Sequence, residues 1–107
     1  MQIQEIINYT KLFDVYGKLL SQKQFEVMDK FLNLDIGESE IAEMENTSRQ
    51  SVHDAITKAK KQLLEFEKKC HFVEQDELLR EDLLKLKQDL IKTNQSTDLI
   101  DKIITKL

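Results

Sequence analysis

Within one short stretch, Ser48 is followed by Arg49, Gln50, Ser51, His53, Asp54, Thr57, Lys58, Lys60 and Lys61. These residue types form hydrogen bonds and ion pairs, and although Ser, His and Asp are among them, no nucleophile-base pair or elbow motif is recognisable in their spacing. A glutamine amide can pair bidentately with adenine, and an arginine can do the same with guanine or hold a phosphate. Lysines are point charges that suit phosphate oxygens. The order along the chain is graded: groups able to reach base edges come first, and Lys58, Lys60 and Lys61 follow. The competing interpretation is plain. Any amphipathic helix has a polar face whose lysines are simply solvated, and Asp54 would repel a phosphate.

The contact reading requires the stretch to be a helix with this set facing outward. At about 100° per residue from Ser48, one arc collects Val52, Ala55, Ile56, Ala59, Leu63, Phe66 and Cys70, which is the face expected to be buried. The opposite arc holds Gln50, Asp54, Thr57 and Lys61, flanked by Arg49, His53, Lys58 and Lys60. Ser48 is placed as the N-cap, and the helix is expected to run to about Lys69, with a bend at Cys70-His71-Phe72. A shorter helix, about Glu38 to Met44, should precede it. Gly37 would serve as its N-cap, and Glu38, Glu40 and Glu43 favour the positive end of its dipole. Between the two, Glu45-Asn46-Thr47 makes a tight turn in which Asn46 tolerates a left-handed backbone. A short helix, a turn and a longer capped helix constitute a helix-turn-helix, whose second helix can enter a major groove.

Upstream, a helix is expected from about Gln2 to Tyr16, carrying Ile3, Ile6, Ile7, Leu12 and Phe13 and ended by Gly17. Ser21-Gln-Lys-Gln24 is a capping-box pattern that starts a second helix with Phe25, Met28, Phe31 and Leu32 on one side. Downstream, Leu79, Leu83, Leu86 and Leu90 recur at heptad-like spacing between Glu74 and Thr93, and Asp98 to Leu107 reads as a short amphipathic helix. The chain has no proline and two glycines among 107 residues, so an all-α fold is expected throughout. We divide it into a helical domain over 1–72 and a C-terminal helical extension over 73–107.

The net charge of -4 disfavours indiscriminate nucleic-acid binding, but the charge is unevenly distributed. From Asp35 to Thr47 there are five acids and no base, whereas from Ser48 to Cys70 six bases face three acids. No apolar run approaches the roughly 20 residues of a membrane span, and MQIQEIINY lacks the pattern of a signal peptide. A single cysteine, Cys70, suits a reducing compartment. A cytoplasmic location and no membrane contact are therefore expected.

Glu40-Ile-Ala-Glu-Met-Glu-Asn-Thr-Ser-Arg-Gln-Ser-Val52 resembles the helix-turn-helix in the fourth conserved region of bacterial sigma factors. Together with Leu12-Phe-Asp-Val-Tyr-Gly-Lys-Leu-Leu-Ser-Gln-Lys-Gln24, it is similar to the YlxM family, small DNA-binding proteins typically encoded beside the signal recognition particle GTPase. The resemblance covers about residues 10 to 70. It implies a helix-turn-helix over 38 to about 61, with Ser48 as cap and Arg49 and Gln50 at the leading edge. It also implies a link to the signal recognition particle pathway, through its RNA or its GTPase. Glu45 and Thr47 depart from the pattern, standing where apolar residues usually seat the turn. Met44 is the candidate to fill that gap, and a looser turn is the expected consequence.

Other chemistry finds little support. His53 and His71 lack further ligands at metal-site spacing, and there is no Gly-rich phosphate loop or nucleophile-base pair. Tyr9, Phe13, Tyr16, Phe25 and Phe31 suit core packing better than base stacking. The expectation is a non-catalytic nucleic-acid-binding protein, without cofactor or metal, using Ser48, Arg49, Gln50, Ser51, His53, Asp54, Thr57, Lys58, Lys60 and Lys61. Its partners would be DNA or the signal recognition particle RNA. The rival is a protein adaptor that docks the GTPase through the acidic segment and the leucine tail. That tail could pack in cis or pair with a second chain, and we expect a homodimer through the C-terminal helices.

Overall fold

A computed structural model describes residues 1–107. All of its regular elements are helical: α1 (Ile3–Tyr16), α2 (Gln22–Met28), α3 (Glu38–Met44), α4 (Arg49–Cys70), α5 (Phe72–Lys92) and α6 (Asp98–Lys106). None is long and apolar enough to cross a membrane. The chain forms two compact units, Met1–His71 and Phe72–Leu107.

In the first unit, α4 packs against α1, α2 and α3. The expected apolar arc supplies Val52, Ala55, Ile56, Ala59 and Leu63 to the core, where they meet Leu12, Phe13, Tyr16, Val27, Met28 and Ile41. Val27, which the spacing argument overlooks, is fully buried. The Phe13 and Phe25 rings lie 5.0 Å apart and Tyr16 and Phe66 5.9 Å apart, tying α1 to α2 and to the later turns of α4. Leu63 is fully buried, so truncating it to Ala costs about 2–5 kcal/mol by the usual cavity penalty. The apolar arc ends sooner than expected. Phe66 is half-buried and Cys70 exposed, so Cys70 is no part of the core.

With so little glycine, the helices stop by other means. Asp35, Asn46, His71 and Asn94 all take the left-handed backbone, with φ between 54° and 59°. Three of the four are Asp or Asn, whose short polar side chains tolerate that conformation best after glycine. Gly17 behaves differently from expectation. Its φ of -54° is right-handed, and it opens a 3-10 turn over Gly17–Leu19. A Cβ there would stand 3.0 Å from the buried Phe13 ring, so close packing explains the glycine better than capping does. The capping box forms as expected: the Gln24 amide donates to Ser21 Oγ at 3.2 Å, and the Ser21 amide to Gln24 Oε1 at 3.1 Å. After Met28 the helix widens into a π turn over Asp29–Asn33 before Asp35 ends it.

In the second unit, α5 and α6 are joined at Asn94, where the Asn94 and Gln95 amides close back onto the Ile91 and Leu90 carbonyls. Lys87 Nζ sits 2.6 Å from Asp101, and Arg80 donates to the Leu107 carbonyl. The bond from Lys87, seconded by Thr97, holds the Asp101 carboxyl below the usual carboxylate range. Ile100 is the buried residue of α6, and α5 buries none.

Candidate nucleic-acid interface

The turn between α3 and α4 is well closed. The Thr47 amide donates to the Ala42 carbonyl at 2.9 Å and the Asn46 amide to the Glu43 carbonyl at 3.2 Å, with Asn46 at φ 54°. This pairing is the Schellman arrangement, which satisfies the last carbonyls of α3. It corrects the expectation of a loose turn. Met44 does not fill the seat either, being 54% exposed. What compensates is ionic. Glu45 lies 2.6 Å from Lys30 on the π turn, both side chains being about one-fifth exposed. That hydrogen bond raises the Lys30 ammonium above its ordinary pKa despite opposing desolvation.

Ser48 caps α4 as expected, its hydroxyl accepting from the Ser51 amide at 3.0 Å. The helix therefore leaves the turn with a defined start, and the rotation of every later side chain follows. Arg49, Gln50, His53, Asp54, Thr57, Lys58 and Lys61 are all exposed on the side away from the core. Gln50 Nε2 donates to Asp54 Oδ1 at 2.9 Å, one turn further on, and the Thr57 hydroxyl donates to the His53 carbonyl. Asp54 is thus occupied in holding Gln50, although a bond from a neutral amide leaves its negative charge in place.

Two partners come from outside α4. Glu38, at the start of α3, places its carboxylate 3.0 Å from His53 Nδ1 and 3.9 Å from Arg49 Nε. A carboxylate can only accept, so Nδ1 carries the proton and Nε2 remains available to another group. Glu38, Arg49, Gln50 and His53 line a recess of about 310 Å³. On the opposite flank, Lys23 of α2 donates to Ser51 Oγ at 2.8 Å. Ser21, Lys23, Ser48, Ser51, Asp54 and Lys58 are among the residues around a groove of about 470 Å³ between α2 and the start of α4.

Lys60 stands apart from the rest of the expected set. Its Nζ lies over the Tyr9 ring at 5.3 Å from the centroid and near the Phe31 ring at 5.9 Å, and the residue is half-buried. About 120° from Ser48 on the helical wheel, it sits at the edge of the apolar arc, where the amphipathic stem follows the core and the ammonium finds ring faces. Sequence reasoning missed Glu38 and Lys23 as members of this surface. Both are brought to it from other helices, and no periodicity along α4 signals them.

A short helix, a Schellman-closed turn and a capped longer helix with an open polar face define a helix-turn-helix protein. The chain belongs to the family described as "Putative helix-turn-helix protein, YlxM / p13 like", whose model matches residues 3–103. A UPF0122 protein of Fusobacterium nucleatum is 34% identical over 107 residues, spanning 100% of this chain and 99% of its own. One from Clostridium acetobutylicum is 36% identical over 107 residues, covering 94% and 92% respectively. Another, from Mycoplasma capricolum, is 30% identical over 102 residues, covering 95% and 90%.

Proposed function

We propose that this protein binds nucleic acid, duplex DNA in the first instance, through the exposed face of the first half of α4, and that it carries out no reaction on it. One observation carries the reading. The residues suited to base edges, Arg49 and Gln50, stand at the capped leading end of a helix that projects from a closed turn, with Lys58 and Lys61 exposed behind them. In a helix-turn-helix that end meets the groove, and lysines further along meet the backbone. Ser48 supports the start of the helix, while Ser51, His53, Asp54 and Thr57 complete the contacting surface.

The test is a fluorescence-anisotropy titration with a duplex DNA pool at low and near-physiological salt. Binding that weakens steeply with salt supports phosphate contact. Unchanged binding by the double variant Lys58→Glu, Lys61→Glu would remove α4 from the reading. The narrower proposal, a regulatory role in the signal recognition particle pathway within the cytoplasm, rests on the family resemblance. Its RNA therefore belongs in the same titration as a competitor.

A second reading has its own observation: α5 exposes Leu78, Leu79, Leu84, Leu86 and Ile91 and buries nothing. We assign this face to a second copy of the chain, consistent with the use of dimers by helix-turn-helix proteins. Sedimentation showing a monomer at micromolar concentration would count against it and favour a different protein, the pathway's GTPase being the first to try. If the acids of α3 dock that GTPase, neutralising the exposed Glu40 and Glu43 abolishes capture. Glu38 and Glu45 are less suited to that task, being engaged by His53 and Lys30.

A further inference from the structure

The lysines of the first unit differ in what holds their charge. Lys30 faces the Glu45 carboxylate and Lys60 the Tyr9 and Phe31 rings. Lys23 is different, because its partner is the neutral Ser51 hydroxyl, which leaves the ammonium uncompensated. It is exposed, and it belongs to α2, outside the helix-turn-helix. Lys58, also exposed, lines the same groove of about 470 Å³, together with Ser48 and Ser51. The single acid lining the groove, Asp54, has one oxygen engaged by Gln50.

We propose that this groove is a phosphodiester subsite: a backbone phosphate of the bound duplex sits between Lys23 of α2 and Lys58 of α4, with Ser51 as an additional hydrogen-bond donor. The inference rests on the proposed nucleic-acid binding by α4 and adds a contact from a separate element. Its chemistry is that of a positioning contact. Two ammonium groups and a hydroxyl match phosphate oxygens, while base readout is left to Gln50, which also lines the groove. Because Lys23 approaches from α2, a phosphate held there would fix the angle at which α4 meets the groove. The Lys23–Ser51 bond keeps the ammonium at the site in the absence of ligand, reducing the ordering needed on binding.

The slope of log affinity against log salt counts phosphate contacts, at about 0.9 per contact on duplex DNA. We expect Lys23→Ala to lower the slope of the full-length protein by about one contact on a mixed-sequence duplex pool. Lys23→Arg should restore it, and Ser51→Ala should weaken binding while changing the slope little. Both positions are accessible enough that thermal unfolding of the three variants should stay within a few degrees of the unaltered protein, which separates contact from folding. A Lys23→Ala slope equal to that of the unaltered protein, alongside a reduced slope for Lys61→Ala, would overturn the subsite while leaving the α4 reading intact. Absence of any salt-dependent duplex binding by the unaltered protein would overturn that reading and the subsite with it.

Discussion

Lys60 and Lys61 are adjacent and chemically identical, yet one 100° step separates their environments. Lys60 lies over two rings, and Lys61 is open to solvent. Replacing Lys60 with Ala should therefore lower stability by about 0.5–1 kcal/mol, the usual worth of a cation–π contact, with little effect on duplex affinity. Lys61→Ala should do the opposite, leaving thermal unfolding nearly unchanged and weakening binding across all sequences alike. Measuring both quantities on both variants distinguishes the assignments, and identical behaviour of the two would contradict them. His53 belongs to this scale too. Its imidazole is held by Glu38 from the preceding helix, so its outward nitrogen is presented by tertiary structure.

At the scale of elements, the helix stops are the distinctive feature. Asn46 places the turn between α3 and α4 through a left-handed backbone. Asn46→Gly should leave stability within about 0.5 kcal/mol, whereas Asn46→Ala should cost about 1 kcal/mol, because alanine keeps the Cβ but loses the short polar side chain that lets Asn tolerate the left-handed backbone. Equal melting temperatures for the Gly and Ala variants would remove the conformational argument. The α5–α6 pair offers a pH test. Asp101 has a depressed pKa in the folded state, held by its bond from Lys87, so its contribution is present above the ordinary carboxylate pKa. That contribution is lost as pH falls through the lower, folded value. Asp101→Asn should accordingly flatten the loss of α5–α6 helicity on acidification below about pH 4, followed by circular dichroism. An acid transition identical to that of the unaltered protein would show that the pairing makes no difference.

For the whole molecule, the two units differ in how much apolar surface they bury. Met1–His71 contains nearly all of the buried apolar residues, while Phe72–Leu107 contributes Ile100. We expect the fragment Met1–His71 to unfold cooperatively by itself. We expect Phe72–Leu107 alone to melt without a sigmoidal transition at low concentration, since a segment of that size rarely builds a sufficient core. A rise in its helicity with concentration would agree with pairing between copies, and a concentration-independent cooperative melt would contradict this division. The amino-acid sequence by itself determined the all-α class, the capping box at Ser21, the helix-turn-helix over α3 and α4, and the polar face that starts at Arg49. These follow from spacing, capping and rotation along one chain, which are local properties. Only the tertiary structure decided that Lys60 turns to Tyr9 and Phe31, that Glu38 holds His53, that Glu45 is satisfied by Lys30, and that Lys23 joins the start of α4. Each of these joins residues on different elements, and where a side chain at the edge of a helical face finds its partner depends on which neighbouring helix is packed there.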